Sequence, residues 1–339
     1  MSAAQVVDLS IVRPGELEPL WQHEVQLWQE RLLWDISDPL YRLRRMVERG
    51  SIAGKTLRDG TGAAGYACYM ITGNLGVISR LVISPECDAG GAEILIRETV
   101  GAVRRTGASR IEGPFISIDS PWLPQLFEQQ GFHTYWREFL RRQLYRAGDQ
   151  DPQPEQNHPH PYAHPQQSGR EAGNGIGGRG ADARANVHLE PWRGSNLRLA
   201  ASVMRAAYEG GVDPEMNEQY RSDDGCELVL DDILNQGACG NPMVEASAIA
   251  RHRGRGIGFN IVTEIAHRQA HLAQVAVLPE YQYQGIGRLL LGHGLSKLAD
   301  QAFDTVSLIV SRRNRRALKM YELMGFEPVL SFPAFSWQG

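Results

Sequence analysis

Between His271 and Leu291 the chain reads HLAQVAVLPEYQYQGIGRLLL, and this run limits the fold more than any other. Leu272, Ala273, Val275, Ala276, Val277 and Leu278 suit a strand buried on both faces. Pro279 cannot donate to a ladder and ends that strand. Gln282-Tyr283-Gln284-Gly285-Ile286-Gly287 then turns into a helix that continues as Arg288-Leu289-Leu290-Leu291. Two glycines let the backbone adopt positive φ and come close to a ligand. The free amides and dipole of a helix start favour an anion such as phosphate. Alone, the same turn reads equally as an ordinary strand-to-helix connection.

A second pattern follows in SLIVSRRNRRALKMYELMGFEP, where Asn314, Ala317, Tyr321, Gly325 and Phe326 fill N-x-x-A-x-x-x-Y-x-x-x-G-F. The two motifs in this order resemble those of the GNAT superfamily of N-acyltransferases, over roughly residues 186–335. The resemblance implies an α/β fold with a mixed sheet and acetyl-CoA as acyl donor. It implies that the main chain of Val275, Ala276 and Val277 pairs with the pantetheine arm. The amides of Gln282, Tyr283, Gln284, Gly285, Ile286, Gly287 and Arg288 would hold the pyrophosphate. The Arg288 side chain either adds charge there or is simply solvated. Tyr321 would protonate the departing thiolate, and Asn314 would contact the pantetheine or steer Tyr321. Several members hold a Glu base 14 residues before the first motif glycine; this chain has His271 there. An imidazole titrates near neutrality and is a competent base, or else only a hydrogen-bonding strand residue. Glu264 and Gln274 are the alternative candidates. The acceptor implied is a small-molecule or peptide amine; the other reading is a non-catalytic acyl-CoA sensor or interaction module.

A shift of 194 residues sets Pro85 on Pro279, Glu86 on Glu280, Gly91 on Gly285, Leu95 on Leu289, Gly131 on Gly325 and Phe132 on Phe326. This register suggests a tandem duplication. The first copy departs where the chemistry sits: Glu93 faces Gly287, Phe127 faces Tyr321 and Ser120 faces Asn314. The expected organisation is a degenerate GNAT-like domain over 1–146, a flexible linker over 147–185 and an active domain over 186–339. Such a layout resembles the mycothiol synthase family.

Glu16 to Glu48 reads as helical with an interruption near Pro39, and Trp21, Val25, Trp28 and Leu32 make a packing stripe. Strands are expected at 63–71, 77–83 and 110–118, with helices at 92–105 and 122–130. In the second half helices are expected at 196–208, 226–236 and 315–324, and strands at 187–189, 246–251, 257–263, 305–310 and 329–335. The stretch 210–224 reads as loop. Residues 147–185 hold seven Gly and five Pro, with Tyr162 and Ile176 as the large apolar side chains. That composition cannot offset the backbone entropy of ordering, roughly 1–2 kcal/mol per residue. Its G-x-G-x-x-G at 175–180 lacks a preceding strand, so a dinucleotide site is not expected, and His158, His160 and His164 read as solvated rather than metal-binding.

Composition narrows the function classes. A net charge of −4 gives no basic surface for nucleic acid. No apolar run reaches the roughly 18 residues a membrane helix needs. The start MSAAQVVDLSIVRPG lacks the basic and apolar regions of a secretion signal, so a cytoplasmic protein is expected. Cys68, Cys87, Cys226 and Cys239 show no C-x-x-C spacing and read as free thiols; no metal is expected. Acceptor identity and oligomeric state are not encoded legibly.

Overall fold

The structure is a computed structural model that describes residues 4–60, 62–113, 121–145, 186–237 and 239–339. The expected linker, with its glycine motif and three histidines, and Ser120 lie outside the described residues.

The first half runs β1 (Gln5–Asp8), α1 (Pro14–Leu32), α2 (Ser37–Glu48), β2 (Ala53–Arg58), β3 (Ala63–Thr72), β4 (Leu75–Ile83), α3 (Ala89–Arg105), β5 (Arg110–Gly113), α4 (Leu123–Gln129) and β6 (His133–Gln143). The second runs β7 (Val187–Pro191), α5 (Leu197–Tyr208), α6 (Asp213–Met216), α7 (Asp223–Leu234), β8 (Asn241–Pro242), β9 (Ala248–His252), β10 (Arg255–Ala266), β11 (Gln269–Val277), α8 (Ile286–Asp300), β12 (Thr305–Ser311), α9 (Arg315–Glu322) and β13 (Glu327–Gln338). The mixed α/β class and the repeated order are as expected. Three features differ. The break after α1 falls at Leu33, which takes a left-handed φ of 56°, and Pro39 sits inside the first turn of α2, where a missing N–H costs nothing. The stretch 210–224 contains the short helix α6 and a 3-10 turn over Glu218–Arg221. Strands β1, β2 and β6 escaped the sequence reading, because Gly54 and the charged pairs in β6 blur their alternation.

Among the described residues all strands join one sheet of order β1-β2-β3-β4-β5-β13-β6-β12-β11-β10-β9-β7, with β8 pairing β10. The order discloses an exchange. The last strand of the second half, β13, pairs antiparallel with β5 of the first, Trp337 opposite Ile111. The last strand of the first half, β6, pairs antiparallel with β12 of the second, Gln143 opposite Thr305. Shifted by 194 residues these two registers are the same, and β6 and β13 pair with each other between them. The two halves are therefore stitched through main-chain hydrogen bonds. Where they meet, Trp34, Ile36, Phe139, Ile265 and Phe332 form one core cluster, and Arg312 and Ser331 both bond the buried Glu138 carboxylate, each at 2.5 Å.

Candidate active site

The site begins as a defect in the sheet. Strands β11 and β12 run parallel and pair only from Gln269–Leu272 against Thr305–Leu308. Opposite β10, Ile261 faces Gln274 and Val262 faces Leu272, so Ala273 is an extra, bulged residue. A bulge bends its strand. Beyond it β11 continues to Val277 and β12 to Ser311 without pairing to each other, which leaves a gap between them. The edge of Val275, Ala276 and Val277 that faces β12 thus offers its backbone groups to the gap, much as an unpaired edge strand would.

At one end of the gap the glycine turn leads into α8. Gly285 has φ of 79° and stands at the N-cap, and Tyr283 takes φ of 63°. The amides of Ile286, Gly287 and Arg288 belong to a first helical turn, which has no carbonyl inside the helix to bond. The turn is braced by side-chain amides: Gln282 donates to the Val277 carbonyl at 3.0 Å and Gln284 to the Glu280 carbonyl at 2.8 Å. Arg316 holds the outer side, bonding Gln282 at 2.5 Å with its guanidinium 3.7 Å from the Tyr283 ring centre. A Cβ on Gly287 would meet the Met320 sulfur at 3.3 Å. Open amides, positive φ, close backbone approach and a nearby arginine fit a diphosphate.

The first half builds the matching turn and closes it. The Asp88 carboxylate caps α3 by accepting from the Gly91 amide at 2.8 Å. An anion thus already occupies that helix start. Phe127, in the place of Tyr321, is core: its ring stacks on Phe335 at 4.1 Å.

Tyr321 lies on α9 and lines the cleft that runs from the glycine turn through the gap, a space of about 1330 Å³. The Asn314 side chain caps α9 at the Ala317 amide, 3.1 Å away, so in this structure it fixes the helix carrying Tyr321. Burial and the Asp213 carboxylate raise the Tyr321 phenol pKa, which keeps it protonated at working pH.

His271 sits where the gap begins and is 3% exposed. Its Nδ1 lies 2.9 Å from Ser307 Oγ, whose own proton goes to the Ala270 carbonyl at 3.2 Å. That network assigns the proton to Nδ1 and leaves Nε2 as acceptor. The ring packs on Trp34 at 4.8 Å and Phe139 at 6.3 Å. Burial, with the Arg137 charge adding, pushes its pKa down to about 3. A group so acidic when protonated takes a proton from an amine poorly.

Sequence reasoning missed the polar cluster on the same face. Asp213, at the start of α6, has its carboxyl pKa raised by burial and partly restored by Arg137. Tyr208 donates to Gln274 at 2.7 Å, and burial pushes the Tyr220 phenol to about 12. The first half anchors this segment: Arg110 donates to the Glu215 carbonyl at 2.6 Å, and the Glu112 carboxylate accepts the Glu218 amide at 2.8 Å. No spacing in the sequence signals that arrangement, because its members are brought together by the fold and its anchors come from the other half. Glu264 is not among the residues lining the cleft.

Residues 244–326 match the model of the acetyltransferase (GNAT) family. That stretch lies in the second half and contains both motifs. The chain is 45% identical over 76 residues to a mycothiol acetyltransferase of Tsukamurella paurometabola, covering 22% of this chain and 26% of that protein. It is 38% identical over 65 residues to a ribosomal protein bS18-alanine N-acetyltransferase of Escherichia coli, covering 19% of this chain and 44% of that one. The chain thus spans under half the length of either relative. As a whole it shares its fold with a GCN5-related N-acetyltransferase from Sphaerobacter thermophilus, at TM-score 0.63 and 13% identity over 100% of this chain and 97% of the other. It also resembles a tandem GNAT protein from the clavulanic acid biosynthesis pathway, at TM-score 0.57 and 12% identity over 99% and 98% of the two chains. In fold the molecule is like that tandem GNAT protein, and the family match and both motifs lie in its second half. No helix of the described residues is long and apolar enough to cross a membrane, and among them no group of three or more potential metal ligands gathers.

Proposed function

We propose that the chain is an acetyl-CoA-dependent N-acetyltransferase whose second half carries the reaction and whose first half has lost it. The observation that carries this reading is one cleft that joins open helix-start amides to a buried phenol through an unpaired strand edge. Acetyl-CoA, when bound, supplies an activated thioester carbonyl. The chain's own residues do the rest. The amides of Gly285 to Arg288, with Arg316 beside them, hold the diphosphate; the edge of Val275 to Val277 aligns the pantetheine.

A primary amine must be neutral to attack. For a lysine-like amine, losing the proton at pH 7 costs about 4.6 kcal/mol. Asp213 is the group we assign to receive that proton, directly or through water, since its raised pKa makes it a stronger base than an exposed aspartate. As the C–N bond forms and the C–S bond breaks, Tyr321 gives its proton to the thiolate sulfur, and the surplus proton on the acylated nitrogen returns, directly or through water, to the phenolate. His271 acts by position: through Ser307 it fixes the mouth of the gap against Trp34.

Calorimetric titration with acetyl-CoA, beside thiol release over an amine panel, tests the proposal. Saturable binding and amine-dependent thiol release are expected. Binding without release would make the protein an acyl-CoA sensor, and no binding would remove the proposal altogether.

A further inference from the structure

The acceptor side of the cleft holds two polar groups that neither donor binding nor the proton transfers use. Ser311, at the end of β12, is 2% exposed, and its Oγ has no hydrogen-bond partner. Arg137 of β6 stands directly opposite Ser311 in the antiparallel register, and its Nε is likewise sealed from solvent without a partner. Both side chains line the cleft. A buried hydroxyl or guanidinium nitrogen left unpaired is destabilising, so two side by side point to a ligand that completes them.

The charge around them says what that ligand carries. Two other arginines of the cleft are paired with carboxylates, Arg80 with Glu24 at 2.7 Å and Arg313 with Glu215 at 2.9 Å, while Arg316 and Arg288 stand at the glycine turn on the donor side. Among the described residues no carboxylate lies within ion-pair distance of Arg137. Its charge nevertheless reaches His271, Asp213 and Tyr220, which places it at the heart of the face opposite the donor. Arginine presents a planar fork of donors that matches a carboxylate in two-point fashion, and a neighbouring hydroxyl adds a third.

We infer that Arg137 and Ser311 bind the carboxylate of an acceptor that bears both an amine and a carboxylate, as an amino acid or a peptide end does. The amine then points towards Asp213 and Tyr321, and the carboxylate towards β6. This rests on the acetyltransferase reading above and explains what the first half contributes. Through strand exchange it lends the second half its specificity-determining cation.

The test uses the full chain, acetyl-CoA and paired acceptors. Glycine, L-glutamate, L-phenylalanine and Gly-Gly are compared with their C-terminal carboxamides for thiol release, in the wild type and in Arg137→Gln, Arg137→Lys and Ser311→Ala. Thermal melts and acetyl-CoA titrations accompany each variant. The wild type should prefer at least one carboxylate over its amide by at least tenfold in kcat/KM, mainly through KM. Arg137→Gln should collapse that ratio towards one, with Arg137→Lys recovering part of it, while acetyl-CoA affinity and melting temperature stay at wild-type values. Equal use of acids and amides by the wild type, an unchanged ratio in Arg137→Gln, or turnover of no member by a protein that binds acetyl-CoA would each overturn the inference. Failure to bind acetyl-CoA at all would instead sink the reaction on which it rests.

Discussion

In the proposed reaction Tyr321 and Asp213 divide the proton traffic, and their environments should set its pH dependence. Replacing Tyr321 by Phe removes one hydroxyl from a buried ring whose packing against Phe326 persists, so the fold should hold. The turnover number should fall by about 100-fold, the scale of a lost general acid, with the acetyl-CoA dissociation constant unchanged. An unaltered rate excludes the phenol as donor. Asp213 must be ionised to accept a proton, and burial raises its pKa. Activity should therefore be lost on the acid side as pH falls through a value above that of an ordinary aspartate. Asp213→Asn should abolish most of the activity across the range, while His271→Ala should leave the acid limb in place. A limb that disappears with His271 would reassign the base. His271 has its own signature in stability. Its folded pKa is about 3 against a reference near 6.5, so between those values the unfolded chain binds a proton that the folded chain refuses. Stability contributed by the neutral ring is complete above about 6.5 and is lost as pH drops through that window. Urea titrations of wild type and His271→Gln at several pH values measure it, and a variant with the same acid slope would contradict the assignment.

The turn before α8 and the turn before α3 are one element in two states, open at its helix start in one and capped by a carboxylate in the other. Both follow a bulged strand; Ala273 is extra in β11 and Ser79 in β4. Both lead into a helix at the same offset. In α3 the Asp88 carboxylate satisfies the helix start, whereas in α8 Gln282 holds the corresponding position and turns its side chain back to Val277. Gly287→Glu would insert a side chain against Met320 and bring a carboxylate to the amides that should hold phosphate. Acetyl-CoA binding should weaken by at least 100-fold by calorimetry, and undiminished affinity would show that the diphosphate lies elsewhere. The turn was legible beforehand because glycines, proline and periodicity are local signals. The bulge was not, since it is defined by the register of a partner strand.

At the level of the complete chain, the exchange of β6 and β13 makes two similar halves into one object. Residues 186–339 expressed alone would lose the partner of β12 and the buried side chains of Phe139 and Leu140. An uncovered strand edge and that lost burial should lower the melting temperature by roughly 10 °C or more relative to the full chain. Equal melting temperatures would mean that β13 folds back to replace β6 at no cost. Features written at short range could be read from the residues: the strand–turn–helix at 271–291, the Asn314–Tyr321 helix, the 194-residue repeat, and hence the α/β class. These depend on side-chain period, on glycine and proline backbone limits, and on motifs within one element. Folding had to bring Arg137 beside Ser311, Asp213 within reach of Tyr321, and Trp34 over His271. The members of each pair lie more than a hundred residues apart in the chain, and burial shifts pKa values only once the walls have closed.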